Sequence, residues 1–205
     1  MVLFKGFVLC ASLIIAFGPQ NLFILQQGLR RQYLLTTAIL CTFGDFILIG
    51  FSVGGFGTLI AANQAVLLAM TLIGSLFLAA YGVRSLCAGL RPNSSACNIM
   101  RAGPATLQGA AVLCLGFSFL NPAAYLDTLL MIGSASGHYP PNERLIFGAG
   151  AVLASAIWFF SLTYAASRLS PIFQHPVSWR FLNGISGCMM VVMSYFIFTT
   201  LPISF

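Results

Sequence analysis

Long apolar segments alternate with short polar connections along the whole chain. Each apolar segment has about 18 residues or more, the length that an α-helix needs to cross a bilayer. Transmembrane β-strands would instead show short segments in which apolar and polar residues alternate. The pattern therefore predicts an all-α membrane protein, in which a single transmembrane domain takes up residues 1–205. Six transmembrane helices are predicted, at about residues 4–27, 34–59, 65–88, 106–133, 145–167 and 180–201.

The composition agrees with this class and limits the partners. Hydrophobic residues make up 59% of the chain and charged residues only 6%, whereas a soluble domain carries about 25% charged residues. The net charge of +6 comes from basic residues that stand mostly between apolar segments. We therefore predict the lipid bilayer as a partner and no nucleic acid. The sequence is compatible with a homo-oligomer but does not indicate one.

The basic residues predict an orientation in the membrane. The opposite side of the predicted bundle has only Lys5 and Arg144. The odd-numbered connections hold seven arginines: Arg30, Arg31, Arg84, Arg91, Arg101, Arg168 and Arg180. Because connections rich in lysine and arginine stay in the cytoplasm, both termini are predicted to lie outside.

Two of the predicted transmembrane helices contain a proline near the middle of the membrane. Pro19 interrupts the first span and Pro122 interrupts the fourth. Because each half has three helices, an odd number, the second half enters the membrane from the opposite side. The predicted fold is therefore an all-α bundle of two inverted three-helix halves. Interrupted helices at matching positions of inverted halves mark the substrate site of many transporters.

A proline inside a helix removes one backbone hydrogen bond and frees a carbonyl group. In hydrocarbon, such groups must be satisfied by protein, water or substrate. We therefore predict that both breaks line a cavity. The residues of the breaks themselves are Gly18, Pro19 and Pro122. The polar side chains predicted to contact a small-molecule substrate there are Gln20, Asn21, Asn121 and Tyr125.

Asp45 and Asp127 are the acids that fall within the apolar segments. An ionised side chain at the centre of a bilayer costs about 2.5–3.5 kcal/mol on the insertion scale. No lysine or arginine lies deep in a segment to neutralise them, because Arg84 and Arg168 stand near helix ends. Such an acid either carries a proton or receives a cation from outside the protein. We predict that both bind substrate and protons.

The six cysteines form no Cys-x-x-Cys pair, and their spacing predicts neither a metal site nor another cofactor. One alternative function is nevertheless a membrane thiol–disulfide electron carrier. Cys10 and Cys114 stand nine and eight residues before Pro19 and Pro122, at matching places in the two halves. A further alternative is an exporter of a neutral amino acid or of a metal cation.

The chain resembles the LysE/ArgO family of basic amino-acid exporters over nearly its whole length. The matching stretches are residues 18–21, 27–33, 41–45, 121–128 and 154–160. The run Arg30-Arg31-Gln32-Tyr33 and the pair Asp127-Thr128 are closer to the arginine-exporter branch. The chain departs from the family pattern at Gly44, where a serine is expected.

The resemblance implies that the chain is a transporter of the bacterial inner membrane and not an enzyme. It implies the export of L-arginine, L-lysine or both. It implies an energy source in the proton gradient or the membrane potential. It also implies that the two proline breaks, together with Asp45 and Asp127, form the functional core. We expect an antiporter in which Asp45 binds either a proton or the substrate cation and Asp127 assists.

Overall fold

The computed structural model describes residues 1–15, 18–55, 63–90, 104 and 106–199. All regular elements in these ranges are helical, so the predicted all-α class is confirmed. The helices of the first half are α1 (Val2–Ile14), α2 (Pro19–Arg30), α3 (Leu34–Val53) and α4 (Gln64–Leu90). Those of the second half are α5 (Leu107–Phe119), α6 (Pro122–Tyr125), a π-helix (Leu126–Ile132), α7 (Gly133–Gly137), α8 (Pro141–Leu169), a 3-10 helix (Ser170–Gln174) and α9 (Pro176–Thr199).

Several of these helices are long and apolar enough to cross a membrane. Within the described residues they are four, at Leu34–Val53, Leu68–Leu90, Pro141–Leu169 and Val177–Thr199. A fifth is added if α1 and α2, which meet at an angle of 80°, are one broken span. The 13 residues of α5 extend over only about 20 Å, which is too short to cross alone. The chain is a multi-pass membrane protein.

Large apolar side chains cover the outer surface of the bundle. On α3, Phe43, Phe46 and Phe51 are exposed, and on α9 Tyr195 and Phe196 are exposed. A soluble monomer rarely shows contiguous apolar surface of this kind. These side chains therefore meet lipid, while Asp45 and Ser52 of α3 and Asn183 and Ser194 of α9 are buried.

A proline stands at the start of the helix that follows each of the two breaks. α2 begins at Pro19, with Gly18 in an extended conformation (φ −94°, ψ 175°) as its N-cap. α5 ends at Phe119 and α6 begins at Pro122. Proline suits a first helical turn because the missing N–H has no partner there in any case. The first and fourth predicted spans are thus each divided at their proline.

Glycines allow the closest helix pairs to form. α1 packs along α8, and α4 packs along α9. A Cβ atom on Gly6 would fall on the carbonyl oxygen of Phe147, and one on Gly150 would fall on the carbonyl oxygen of Leu3. Small residues of this kind let transmembrane helices approach until their backbones touch. The α1–α8 contact fixes one wall of the cavity described next.

Candidate functional site

The two helix breaks and the middle of α3 border one cavity of about 80 Å3. Such a volume has room for several water molecules. Its polar lining comes from Gln20, Asn21, Asp45, Asn121 and Thr128, and Gly18 and Cys10 also line it. Residues far apart in the sequence, from α2, α3 and the start of α6, therefore meet at one place.

Asp45 is buried at this cavity, with 8% of its surface exposed. Its carboxylate accepts a hydrogen bond from the Oγ of Ser155 on α8, at 2.5 Å. Across the ranges that the structure describes, no lysine or arginine forms an ion pair with Asp45. A carboxylate offers about four acceptor positions on its two oxygens. The group can therefore bind a proton or a cation without breaking an existing ion pair.

Asn21 is held between α1 and α8. Its Nδ2 donates to the carbonyl oxygen of Ile14 at 2.7 Å, where α1 ends and its last carbonyls have no helical partner. Its Oδ1 accepts from the Nε1 of Trp158 at 3.1 Å. Because both ends of the amide are bonded, its orientation is fixed, and Asn21 ties the helix break to α8.

Gln20 reaches α5 on the other side of the cavity. Its Nε2 donates to the Oγ of Ser118 at 3.2 Å. Ser118 can lie there because Gly44 has no side chain: a Cβ on Gly44 would be 2.7 Å from the Cβ and the Oγ of Ser118. The departure from the family pattern at Gly44 therefore has a steric role, since it brings α3 and α5 together beside Gln20.

The remaining predicted residues lie around the second break. Asn121, which is 5% exposed, lines the cavity between α5 and α6. Tyr125 is buried among Leu48 and Leu129 and is not one of the described residues that line the cavity. The backbone of Asp127 belongs to the π-helix, but the structure does not describe its side chain. Its role stays a prediction.

The chain matches the sequence model of the LysE type translocator family over residues 11–200. It belongs to this family. ArgO, an arginine exporter protein of Yersinia enterocolitica, is 38% identical over 194 residues, which is 95% of this chain and 94% of the relative. A candidate amino-acid transporter of Mycobacterium tuberculosis is 38% identical over 191 residues, 93% of this chain and 94% of the relative. No solved structure matches the chain.

Membership in the LysE family makes the chain a transporter and not an enzyme. This finding goes against the alternative of a thiol–disulfide electron carrier. Cys10 and Cys114 are free thiols that belong to two separate clusters of buried apolar residues, one around α1 and α8 and one around Phe23 and Phe117. Cys114 is therefore a core side chain, and only Cys10 lines the cavity.

Several side chains at the cavity of this LysE-family protein are not among the site residues predicted from the sequence. Ser155, Ser118 and Trp158 bond to the predicted side chains, and Thr128 lines the cavity directly. Ser155 gave the clearest signal, because it is a lone hydroxyl in the apolar stretch of residues 154–160 that matches the family. Its partner lies 110 residues away, so only the fold identifies the contact.

Proposed function

We propose that this LysE-family transporter exports basic L-amino acids, arginine, lysine or both, through the cavity at the helix breaks. One observation carries the proposal. A buried aspartate, Asp45, borders a cavity that Gln20, Asn21 and Asn121 also line, and it forms no ion pair within the described part of the chain. A substrate with a guanidinium or ammonium group supplies the missing positive charge. The relative named as an arginine exporter agrees with this substrate class.

In the proposed binding mode, Asp45 binds the cationic end of the substrate. The amides of Gln20, Asn21 and Asn121 bind its α-amino and α-carboxylate groups. The N-terminus of α2 adds to the carboxylate site, because its first N–H groups have no partner within the helix and carry partial positive charge. Asp127 assists at the other break.

Proton exchange supplies the energy in this proposal. Moving a monovalent cation out of a cell that is negative inside costs about 2.3 kcal/mol for each 100 mV. Inward movement of one proton for each exported cation cancels this electrical cost. The carboxyl group of Asp45 binds one of the two at a time, while the Oγ of Ser155 hydrogen-bonds to it in both states.

We further propose that the chain consists of two inverted three-helix halves. In this arrangement α1 corresponds to α5, α2 to the π-helix, α3 to α8 and α4 to α9. The α1–α8 contact then corresponds to the α5–α3 contact, and the α2–α8 contact to the contact of the π-helix with α3. All four contacts are present. The α4–α9 and α3–α8 contacts map onto themselves and are also present. In such a fold, one half rocks against the other and opens the shared site to each side in turn. The proposed location is the bacterial inner membrane, with both termini outside.

The test is efflux of labelled L-arginine from cells that express Asp45→Asn. We expect export to be lost although the protein reaches the membrane at its normal level, because the amide takes up no proton in this pH range and carries no negative charge to balance the substrate cation. Glu143→Gln is the matched control, since it neutralises an acid in the first turn of α8, away from the cavity, and should export normally. Normal arginine efflux from Asp45→Asn would contradict the proposal. Export of labelled leucine in preference to arginine would favour the neutral amino-acid alternative.

A further inference from the structure

A second polar cavity lies at the other end of α2. It has a volume of about 30 Å3 and is enclosed by the end of α2, the second half of α4 and the beginning of α9. Its polar lining residues are Gln26, Arg30, Tyr81, Arg84, Ser85 and Asn183. None of these lines the first cavity. The ten residues from Gln20 to Arg30 separate the two sites by about 15 Å along the helix.

Arg30 is the central cation of this second cavity. It is 7% exposed, and its Nε and Nη1 atoms have no hydrogen-bond partner. Its guanidinium carbon lies 5.4 Å from the centre of the Trp179 ring. This cation–π contact compensates part of the lost hydration but satisfies no N–H group. Burying a guanidinium whose N–H groups lack partners costs free energy unless an acceptor hydrogen-bonds to them.

No acid of this chain that the structure describes is close enough to be that acceptor. Glu143 begins α8, whose last turns lie beside the end of α2, since the Nε of Arg31 donates to the carbonyl oxygen of Ser167. The 24 residues from Glu143 to Ser167 correspond to about 36 Å of helix. Asp45 lies at the first cavity, where it accepts from Ser155.

The third acid, Asp127, is also far from Arg30, as the position of its backbone shows. The carbonyl oxygen of its neighbour Thr128 accepts from the Oγ of Ser52, near the end of α3. α3 begins at Leu34 beside the end of α2, and the 18 residues from Leu34 to Ser52 extend over about 27 Å. None of these three acidic residues therefore supplies the negative charge that Arg30 needs.

The fully buried atoms of the described residues at the second cavity that lack a partner are hydrogen-bond donors. The Oδ1 of Asn183 accepts from the Nε2 of Gln26 at 3.4 Å, and the Oγ of Ser85 donates to the backbone oxygen of Asn183 at 3.0 Å. The buried atoms of the described lining residues that lack a partner are Nε and Nη1 of Arg30 and Nδ2 of Asn183. All three are N–H donors, and the positive charge of Arg84 lies beside them.

We propose that Arg30, Arg84 and Asn183 form a binding site for an oxyanion group, a carboxylate or a phosphate. A guanidinium and an amide present parallel N–H donors, which match the two oxygens of such a group. The volume of about 30 Å3 admits the charged head of a ligand but not a whole amino acid. Two sources offer this chemistry, the α-carboxylate of a transported amino acid and the phosphate of a lipid headgroup. Only the first source rests on the proposed function.

Trp179 provides a local reporter for the test. The chain has two tryptophans, of which Trp158 donates a hydrogen bond to Asn21 at the first cavity and Trp179 stacks on Arg30. The full chain with Trp158→Phe is purified in dodecyl maltoside, a detergent without phosphate, and Trp179 emission is followed during titration with sodium acetate and with inorganic phosphate. We expect a saturable change that Arg30→Gln weakens by about tenfold or more, because a hydrogen bond to a charged group is lost.

Arg31→Gln is the matched control, because it removes the same charge from the adjacent, exposed position and should leave the titration unchanged. Asn183→Asp is a second variant of nearly the same shape. It places a negative charge in the cavity and should abolish the response, even if Arg30→Gln does not fold. Helix content by circular dichroism checks the fold of each variant.

Further titrations distinguish the carboxylate of an amino acid from the phosphate of a lipid. A response to L-arginine but not to agmatine, which lacks the α-carboxylate, assigns the site to the substrate. A change on adding phosphatidylglycerol to the phosphate-free micelles, without a response to acetate, assigns it to lipid phosphate. No response to acetate, phosphate, L-arginine or phosphatidylglycerol would overturn the proposal. Responses in Arg30→Gln and in Asn183→Asp that equal the response of the protein with Arg30 and Asn183 intact would also overturn it. Because the experiment measures binding, its result does not depend on whether the protein exports arginine.

Discussion

At the scale of single residues, one hydrogen bond decides how Asp45 is presented. The Oγ of Ser155 donates to one carboxylate oxygen, and Asp45 itself is buried against the cavity. A hydroxyl can rotate to serve a protonated or an ionised carboxyl group equally well. Ser155 is therefore a positioning residue in the proposed exchange of a proton for a cation.

Ser155→Ala is expected to slow arginine export by about tenfold without abolishing it, because a hydrogen bond to a charged group is removed from a buried site. The measurement is the initial rate of labelled arginine efflux at several arginine concentrations. Ser167→Ala is the matched control on the same helix, since that exposed hydroxyl bonds only to the backbone oxygen of Tyr164. Equal rates for both variants would show that Ser155 does not position Asp45.

The cysteines give a second prediction at this scale. A chain with both Cys10→Ala and Cys114→Ala should export arginine at close to the normal rate, because the proposed exchange uses no thiol. Cys114 is a buried core residue, so a modest loss of stability is expected from its smaller side chain. Efflux divided by the amount of protein in the membrane corrects for this loss. Abolished export at a normal protein level would instead support thiol chemistry.

At the scale of helices, the close packing of α1 against α8 holds the first break in place. α1 ends at Ile14, whose carbonyl oxygen is bonded to Asn21, and α8 supplies Ser155 and Trp158. A change in the distance between these two helices therefore moves both walls of the cavity. Glycine at the contact is needed because backbone atoms occupy the space of a Cβ.

Gly6→Ala is expected to destabilise the protein by about 1–3 kcal/mol, since the new Cβ meets the backbone of Phe147 and cannot rotate away. Thermal unfolding in detergent, followed by circular dichroism, measures the effect as a lower midpoint. Gly50→Ala is the matched control within α3, because nothing lies within 4 Å of a Cβ there. A midpoint for Gly6→Ala that equals the one for Gly50→Ala would contradict the close α1–α8 contact.

At the scale of the whole molecule, the sequence predicts the positions of polar groups better than their partners. The all-α class follows from apolar segments, and helices begin at Pro19 and Pro122 because proline has no N–H group. Asp45 stands out as an acid in an apolar segment. Its contact with Ser155 depends on the packing of α3 against α8, which no local pattern encodes.

The same limit applies to the second cavity and to Tyr125. Arg30 and Arg84 look like ordinary topology signals in the sequence, and only the packing of α2, α4 and α9 buries Arg30 with unused donors. Tyr125 follows the second break in the sequence, yet the helical turn directs it toward Leu48 and Leu129. Long-range packing determines which side chains of a polar cluster face a cavity.

Asp45 is proposed to exchange a substrate cation for a proton. Proteoliposomes loaded with labelled arginine measure this exchange directly, with the membrane potential clamped and a pH gradient imposed. An acidic exterior should accelerate arginine efflux from the normal protein, protons should enter as arginine leaves, and Asp45→Asn should show neither effect. Arginine efflux from Asp45→Asn that is as fast as normal and still responds to the pH gradient would contradict this proposal.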